Sequence, residues 1–86
     1  MYKYEMFGKE LINILNERKK QGEMSLILTA KDIEVLLDVS NRCGGEPNSR
    51  YPLICRAMEY ASEIYPSKWI DGKNPSCTFK VEYKLN

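Results

Sequence analysis

Residues 68–85 have the sequence KWIDGKNPSCTFKVEYKL, and this stretch decides the fold. From Cys77 to Leu85, every second side chain is apolar, and the side chains between them are polar. A period of two indicates an antiparallel strand with one buried face. Lys68-Trp69-Ile70 is a short strand before it, and residues 71–76 are rich in turn formers. The chain therefore predicts a C-terminal antiparallel β-hairpin.

Helix 1 is predicted at residues 7–21. Apolar side chains recur there three or four residues apart, which is typical of the buried face of a helix. They are Phe7, Leu11, Ile14 and Leu15. Gly22 supplies a C-terminal stop. Tyr2, Tyr4 and Met6 alternate with charged residues, so residues 2–6 are predicted as a short edge strand or a packed arm.

A short strand and a second helix follow. Residues 24–28, MSLIL, form a short apolar run that fits a buried strand. Helix 2 is predicted at residues 29–39, because Thr29 and Asp32 have the spacing of a capping box.

Helix 3 is predicted at residues 50–64, with Ser49 as its cap and Pro66 after its end. Residues 40–49 are predicted as a loop, since Gly44-Gly45 and Pro47-Asn48 break regular structure.

The predicted core combines the three helices with the hairpin. It contains Leu15, Ile33, Leu36, Ile54, Ala57, Met58 and Val81, and Trp69, Phe79, Tyr83 and Tyr65 are predicted to pack over the helices.

Composition limits the classes of function. The chain has 86 residues, no His, 13 Lys and Arg and 12 Asp and Glu, which gives a net charge of +1. This length predicts a single domain over residues 1–86, and the predicted helices and hairpin make it an α+β domain. Without His the commonest general base and metal ligand are missing, so we expect no enzyme, no cofactor and no metal site.

The cysteines and the apolar runs bear on the compartment. Cys43, Cys55 and Cys77 are an odd number without a C-x-x-C pair, which favours reduced thiols in a cytoplasmic protein. Cys55 and Cys77 are predicted to be buried, and Cys43 to be reachable in its loop. The longest apolar runs are three residues, so we expect neither a signal peptide nor a membrane span.

The predicted order is helix, strand, helix, loop, helix, strand, loop, strand, and in this order the chain resembles the winged helix-turn-helix group of DNA-binding domains. Residues 29–37 resemble the first helix of the helix-turn-helix unit, and residues 50–65 resemble the recognition helix. The resemblance implies that helix 3 enters the major groove and that the hairpin is the wing. About ten residues separate the two helices, where three or four are usual. This loop contains an extra turn or itself reaches a ligand.

The resemblance implies binding of duplex DNA by the start of helix 3 and by the wing. Arginine reads guanine and asparagine reads adenine through paired hydrogen bonds, while lysines on a wing contact the backbone. Lys84 shares the outer strand face with Lys80. The candidate DNA-binding residues are Arg42, Asn48, Ser49, Arg50, Tyr51, Arg56, Lys73 and Lys80. The alternative for the same residues is a solvated helix face with its cap and a solvated strand face.

Two functions remain open at this stage. The first is a non-catalytic DNA-binding protein, either a transcriptional regulator or an accessory factor of a phage or mobile element. The alternative is a small protein–protein interaction module or inhibitor of the phage or mobile-element type, acting on a nucleic-acid enzyme, and the near-neutral charge favours it. A homodimer is also predicted, with Tyr2, Tyr4 and helix 1 as its contact surface.

Overall fold

The computed structural model describes residues 3–43, 47–74 and 76–85, without the side chains of 40, 43 and 47–49. The fold is α+β, as predicted. Its elements are α1 Lys3–Lys20, β1 Ser25–Thr29, α2 Ala30–Leu36, α3 Val39–Cys43, α4 Pro47–Ser62, β2 Ser67–Asp71 and β3 Lys80–Lys84. The three predicted helices are present as α1, α2 and α4, and the short α3 is additional.

The three strands form one antiparallel sheet in the order β1-β3-β2. The predicted hairpin of β2 and β3 is confirmed, and β1 adds to the other edge of β3. Opposite Leu28 lies Val81, and opposite Leu26 lies Tyr83, so these side chains share the inner face that packs on the helices. The residues between them form the outer face of the sheet.

The core lies between the inner face of the sheet and the two long helices. α4 packs along α1, and Gly8 of α1 lies directly beside the side chain of Tyr60. The predicted core residues are buried with one exception, Leu36, which is 50% exposed because α2 turns that face to solvent. Phe79, Tyr83 and Tyr65 are buried as predicted.

Two stretches predicted as irregular or extended are helical. α1 begins at Lys3, so the strand or arm predicted for residues 2–6 is wrong over 3–6. The ring of Tyr4 lies edge-on to that of Tyr60 on α4, at 6.4 Å between ring centroids. The contact between α1 and α4 therefore begins one turn before Phe7. Tyr2 lies outside the described residues.

The loop predicted at residues 40–49 contains α3 and the start of α4. Asp38 has a φ of 53°, which breaks the chain direction after α2. Val39 is then fully buried, and its burial holds the short helix against the core.

The start of α2 has the predicted capping box. Thr29 Oγ1 accepts from the Asp32 N–H at 3.0 Å, and Asp32 Oδ2 accepts from the Thr29 N–H at 2.9 Å. The next two amides donate to the chain just before β3, from Ala30 to Phe79 O at 2.8 Å and from Lys31 to Cys77 O at 3.2 Å. The beginning of α2 therefore lies against the hairpin loop.

The hairpin differs from its prediction in two side chains. β3 begins at Lys80, and the residues before it form a turn, so Cys77 is exposed where burial was predicted. Trp69 is 65% exposed, because the helices do not cover its end of the edge strand β2. Cys55 is buried as predicted.

Candidate nucleic-acid interface

The side chains of Arg50 and Tyr51, near the start of α4, contact α2 and do not project into solvent. Arg50 Nη2 lies 3.7 Å from Glu34 Oε1 on α2, and the two side chains are only 16% and 10% exposed. The Tyr51 hydroxyl donates to the same carboxylate, and this hydrogen bond raises the pKa of Tyr51 to about 12. These groups join α4 to α2. Asn48 and Ser49 were also predicted to bind DNA, and their side chains lie outside the described part of the chain.

Arg56 lies on another side of α4. Its guanidinium carbon is 4.5 Å from the centroid of the Tyr4 ring, a cation–π contact with α1. The groove around it has a volume of about 380 Å³ and is also lined by Glu5, Glu59 and Glu63. These carboxylates repel phosphate. The structure therefore does not bring Arg50 and Arg56 onto one surface.

Arg42 joins α3 to α1. Its Nη1 and Nη2 donate to the two carboxylate oxygens of Glu10 at 2.6 and 2.7 Å, and its guanidinium carbon lies 4.7 Å from the Phe7 ring centroid. The hydrogen bonds from Arg42 hold the pKa of Glu10 below its ordinary value. This arginine is engaged in packing, like Arg50.

Lysines of the sheet and the hairpin form one group of exposed or half-buried cations. Lys80 and Lys84 alternate along β3, and Lys68 of β2 is paired with Glu82 between them. Since paired residues of an antiparallel sheet point to the same side, these three lysines share the outer face. The helices pack on the inner face and leave the outer face open.

Two further lysines lie at the hairpin-loop end of this surface. Thr29 is paired with Lys80, and α2 starts directly after Thr29, which places Lys31 beside the loop. Lys73 lies in the loop itself, after the pairing of Asp71 with Lys80. We call these residues together the lysine face. Its members are Lys31, Lys68, Lys73, Lys80 and Lys84.

Three carboxylates lie among these lysines, those of Asp32, Asp71 and Glu82, and Glu82 lies between Lys80 and Lys84 on β3. Two of them accept backbone hydrogen bonds: Asp32 from Thr29, and Asp71 from the Gly72 N–H at 2.8 Å. None of the five lysines forms an ion pair with a described carboxylate, whereas Arg18, Arg42 and Arg50 each do. The lysine face thus carries cations that are available to an external anion.

Sequence reasoning missed two members of this surface, Lys31 and Lys68. The alternation of β3 indicated the face of Lys80 and Lys84. Lys68 joins it through the register of β2 against β3, and Lys31 joins it through the contact between α2 and the loop. Neither arrangement has a signal in the local sequence.

Within residues 3–43, 47–74 and 76–85, no group of three acidic or Cys side chains is arranged to hold a metal ion. No helix in these ranges has the length and apolar character that a membrane crossing requires. Comparison with protein-family models, curated proteins and solved structures finds no match to this chain.

Proposed function

We propose that this protein binds duplex DNA without catalysis, by contacts between the lysine face and the phosphate backbone. The observation that carries the proposal is the set of five lysines without a described carboxylate partner, gathered on the outer face of the sheet and at the hairpin loop. Unpaired lysines release counterions from DNA when they contact phosphates, which drives binding.

The order of the elements also supports the proposal. An N-terminal helix, a strand, further helices and a hairpin follow one another, and β1 pairs with β3. This order agrees with the winged-helix resemblance, in which the hairpin contacts the backbone. Phosphate contacts position a protein but carry no sequence information directly. The lysine face therefore suits an accessory DNA-binding role, and a transcriptional regulator would need base contacts in addition.

The test compares two pairs of lysines with the same change in charge. Lys80→Ala/Lys84→Ala removes two cations from the lysine face, and Lys9→Ala/Lys20→Ala removes two exposed cations from α1. Affinity for a blunt duplex is measured across a range of salt concentrations. The first pair is expected to reduce the slope of log K against log salt by about 0.9 for each phosphate that is no longer neutralised, which is about two units for both lysines.

The control pair is expected to leave that slope unchanged. Equal effects of the two pairs would mean that net charge alone attracts the duplex, and the proposed interface would be wrong. Absence of salt-dependent binding in the wild type would overturn the function itself.

The exposed edge strand favours a second candidate, a module that binds and inhibits a nucleic-acid enzyme. Trp69 and Ile70 on β2 are 65% and 44% exposed, and such side chains are enriched where proteins meet. This candidate predicts that the protein slows a nuclease or polymerase without binding its DNA, and that Ile70→Lys abolishes the inhibition. Inhibition that follows the lysine substitutions instead would indicate competition for DNA.

A further inference from the structure

A cleft lies on the hairpin beside the lysine face. Its volume is about 310 Å³, within the range of small-ligand sites, and it is lined by Trp69, Gly72, Lys73, Asn74 and Phe79. Trp69 is opposite Val81 and so lies on the inner side of the sheet, beyond the end of the helical layer. A large aromatic ring is thereby left accessible next to a cation.

The cleft is held in shape by the hairpin itself. Trp69 Nε1 donates to Asp71 O and to Gly72 O, both at 2.9 Å, so the indole is fixed against its own loop. Asn74 Nδ2 donates to Glu59 Oε1 at 2.8 Å and ties the loop to α4. A site formed in advance loses little side-chain freedom when a ligand binds.

Gly72 makes the tight closure of the loop possible. Its φ is +80°, and a Cβ at this position would lie 1.9 Å from Thr78 O. The backbone on the two sides of the loop is therefore in contact, and any side chain at residue 72 would force the cleft open.

We infer that this cleft binds one unstacked nucleotide of a nucleic acid, with the base against the Trp69 ring and its phosphate at Lys73. Every base has a π-face that stacks on an aromatic side chain, and Phe79 supplies a second apolar wall. Lys73 is exposed and forms no ion pair with a described carboxylate, and the nearby Asp71 carboxylate accepts the Gly72 N–H. An aromatic ring beside an available cation matches the chemistry of a nucleotide.

The inference rests on the proposed function only in taking nucleic acid as the ligand. Bases inside a duplex are stacked and paired, so the cleft takes single strands or unpaired bases. Lys73 is the one member of the lysine face that lines the cleft, and Lys68, Lys80 and Lys84 lie on the other side of the sheet from Trp69.

Trp69 is the only tryptophan of the chain, so its fluorescence reports on this cleft alone. The wild type is titrated with a short oligothymidylate, with an abasic deoxyribose-phosphate oligomer of equal length and with a blunt duplex. The oligothymidylate is expected to quench Trp69 and to bind at least about fivefold more tightly than the abasic oligomer. Equal affinity for the two oligomers would overturn the inference.

Two substitutions of Trp69 test the contribution of stacking. Because both variants lack the single tryptophan, their binding is followed by the fluorescence anisotropy of an end-labelled oligothymidylate. Trp69→Ala is expected to weaken this binding at least about fivefold, while Trp69→Phe retains an aromatic ring and most of the affinity. Unfolding midpoints of both variants verify that the fold is kept. Unchanged binding by Trp69→Ala would overturn the inference, and so would quenching by apolar peptides but not by the oligothymidylate.

The two proposals fail in distinguishable ways. Trp69→Ala is expected to bind the blunt duplex within twofold of the wild type, because the lysine face is intact. If the protein binds the duplex but the oligothymidylate does not change Trp69 fluorescence, the nucleotide site in the cleft is contradicted and the proposed function is not. If the oligothymidylate quenches Trp69 but duplex binding does not depend on salt, the proposed function is contradicted and the nucleotide site is not.

Discussion

Replacing Gly8 by alanine tests the packing of α1 on α4. In an exposed helix this change stabilises by about 1 kcal/mol, because glycine is the poorer helix former. Here the new Cβ would lie 2.5 Å from Cδ1, 2.9 Å from Cγ and 3.0 Å from Cβ of Tyr60. Carbon atoms attract one another best at about 3.5–4.0 Å, so all three contacts are repulsive.

The clash decides the sign of the effect. Rotation of the Tyr60 ring about its Cβ–Cγ bond cannot relieve contacts with Cγ and Cβ, so the side chain must leave its place beside Tyr4 or the helices must separate. Overpacking costs about 1–3 kcal/mol, and loss of the aromatic pair costs about 0.5–1.5 kcal/mol. After subtraction of the gain in helix propensity, Gly8→Ala is expected to destabilise the protein by about 2 kcal/mol.

Thermal unfolding followed by circular dichroism measures this effect. For a domain of this size each kcal/mol lowers the melting temperature by about 4–8 °C, so a decrease of about 8–16 °C is expected. Lys9→Ala, one residue away on the exposed side of α1, is the control and is expected to change stability by less than about 0.5 kcal/mol. In a Tyr60→Ala background, Gly8→Ala is expected to lower the free energy of unfolding by less than it does in the wild type. A Gly8→Ala protein as stable as the wild type would refute the close packing of the two helices.

Two further predictions concern single hydrogen bonds and ion pairs. Tyr83→Phe is expected to cost about 0.5–1.5 kcal/mol in denaturant unfolding, because the buried hydroxyl donates to Met58 O at 2.8 Å. An unchanged free energy of unfolding would contradict this hydrogen bond. The lowered pKa of Glu10 stabilises the fold above the carboxyl's unfolded pKa, and this effect is lost as the pH falls through the folded pKa. The stability difference between wild type and Arg42→Ala is therefore expected to shrink as the pH falls below the ordinary pKa of a glutamate. Since both side chains are 36% exposed and screened by solvent, the ion-pair part of that difference is expected to be below about 1 kcal/mol at neutral pH. The contacts of Arg42 with the Phe7 ring and with Leu37 O do not titrate, so only a difference that does not change with pH would contradict the ion pair.

The arginines and the lysines of this chain have different structural roles. The guanidinium groups of Arg42 and Arg50 face carboxylates, and that of Arg56 covers an aromatic ring. Arginine suits such packed positions because its planar fork matches carboxylates and stacks on rings. The lysines of the sheet remain in solvent. The sequence predicted DNA contacts from both the start of helix 3 and the wing, and the proposed contact now lies on the outer face of the sheet and the hairpin without the arginines of α4.

The sequence alone determined the elements whose signals are local. The apolar stripe of α4, the alternation of β3 and the capping box at Thr29 each depend on residues a few positions apart, so their physical causes are present in the chain segment itself. Most of the core followed from the same patterns, because a side chain on an apolar stripe is buried wherever another element covers it.

Only the tertiary structure decided which parts of those faces are covered. Trp69 and Val81 lie on the same side of the sheet, yet only Val81 is buried, because α1 and α4 do not cover that end of β2. Likewise, Arg50 is a surface residue by its local sequence, and it is held by Glu34 only because α2 and α4 meet there. Contacts between residues distant in the chain depend on how whole elements pack, and no local pattern encodes that arrangement.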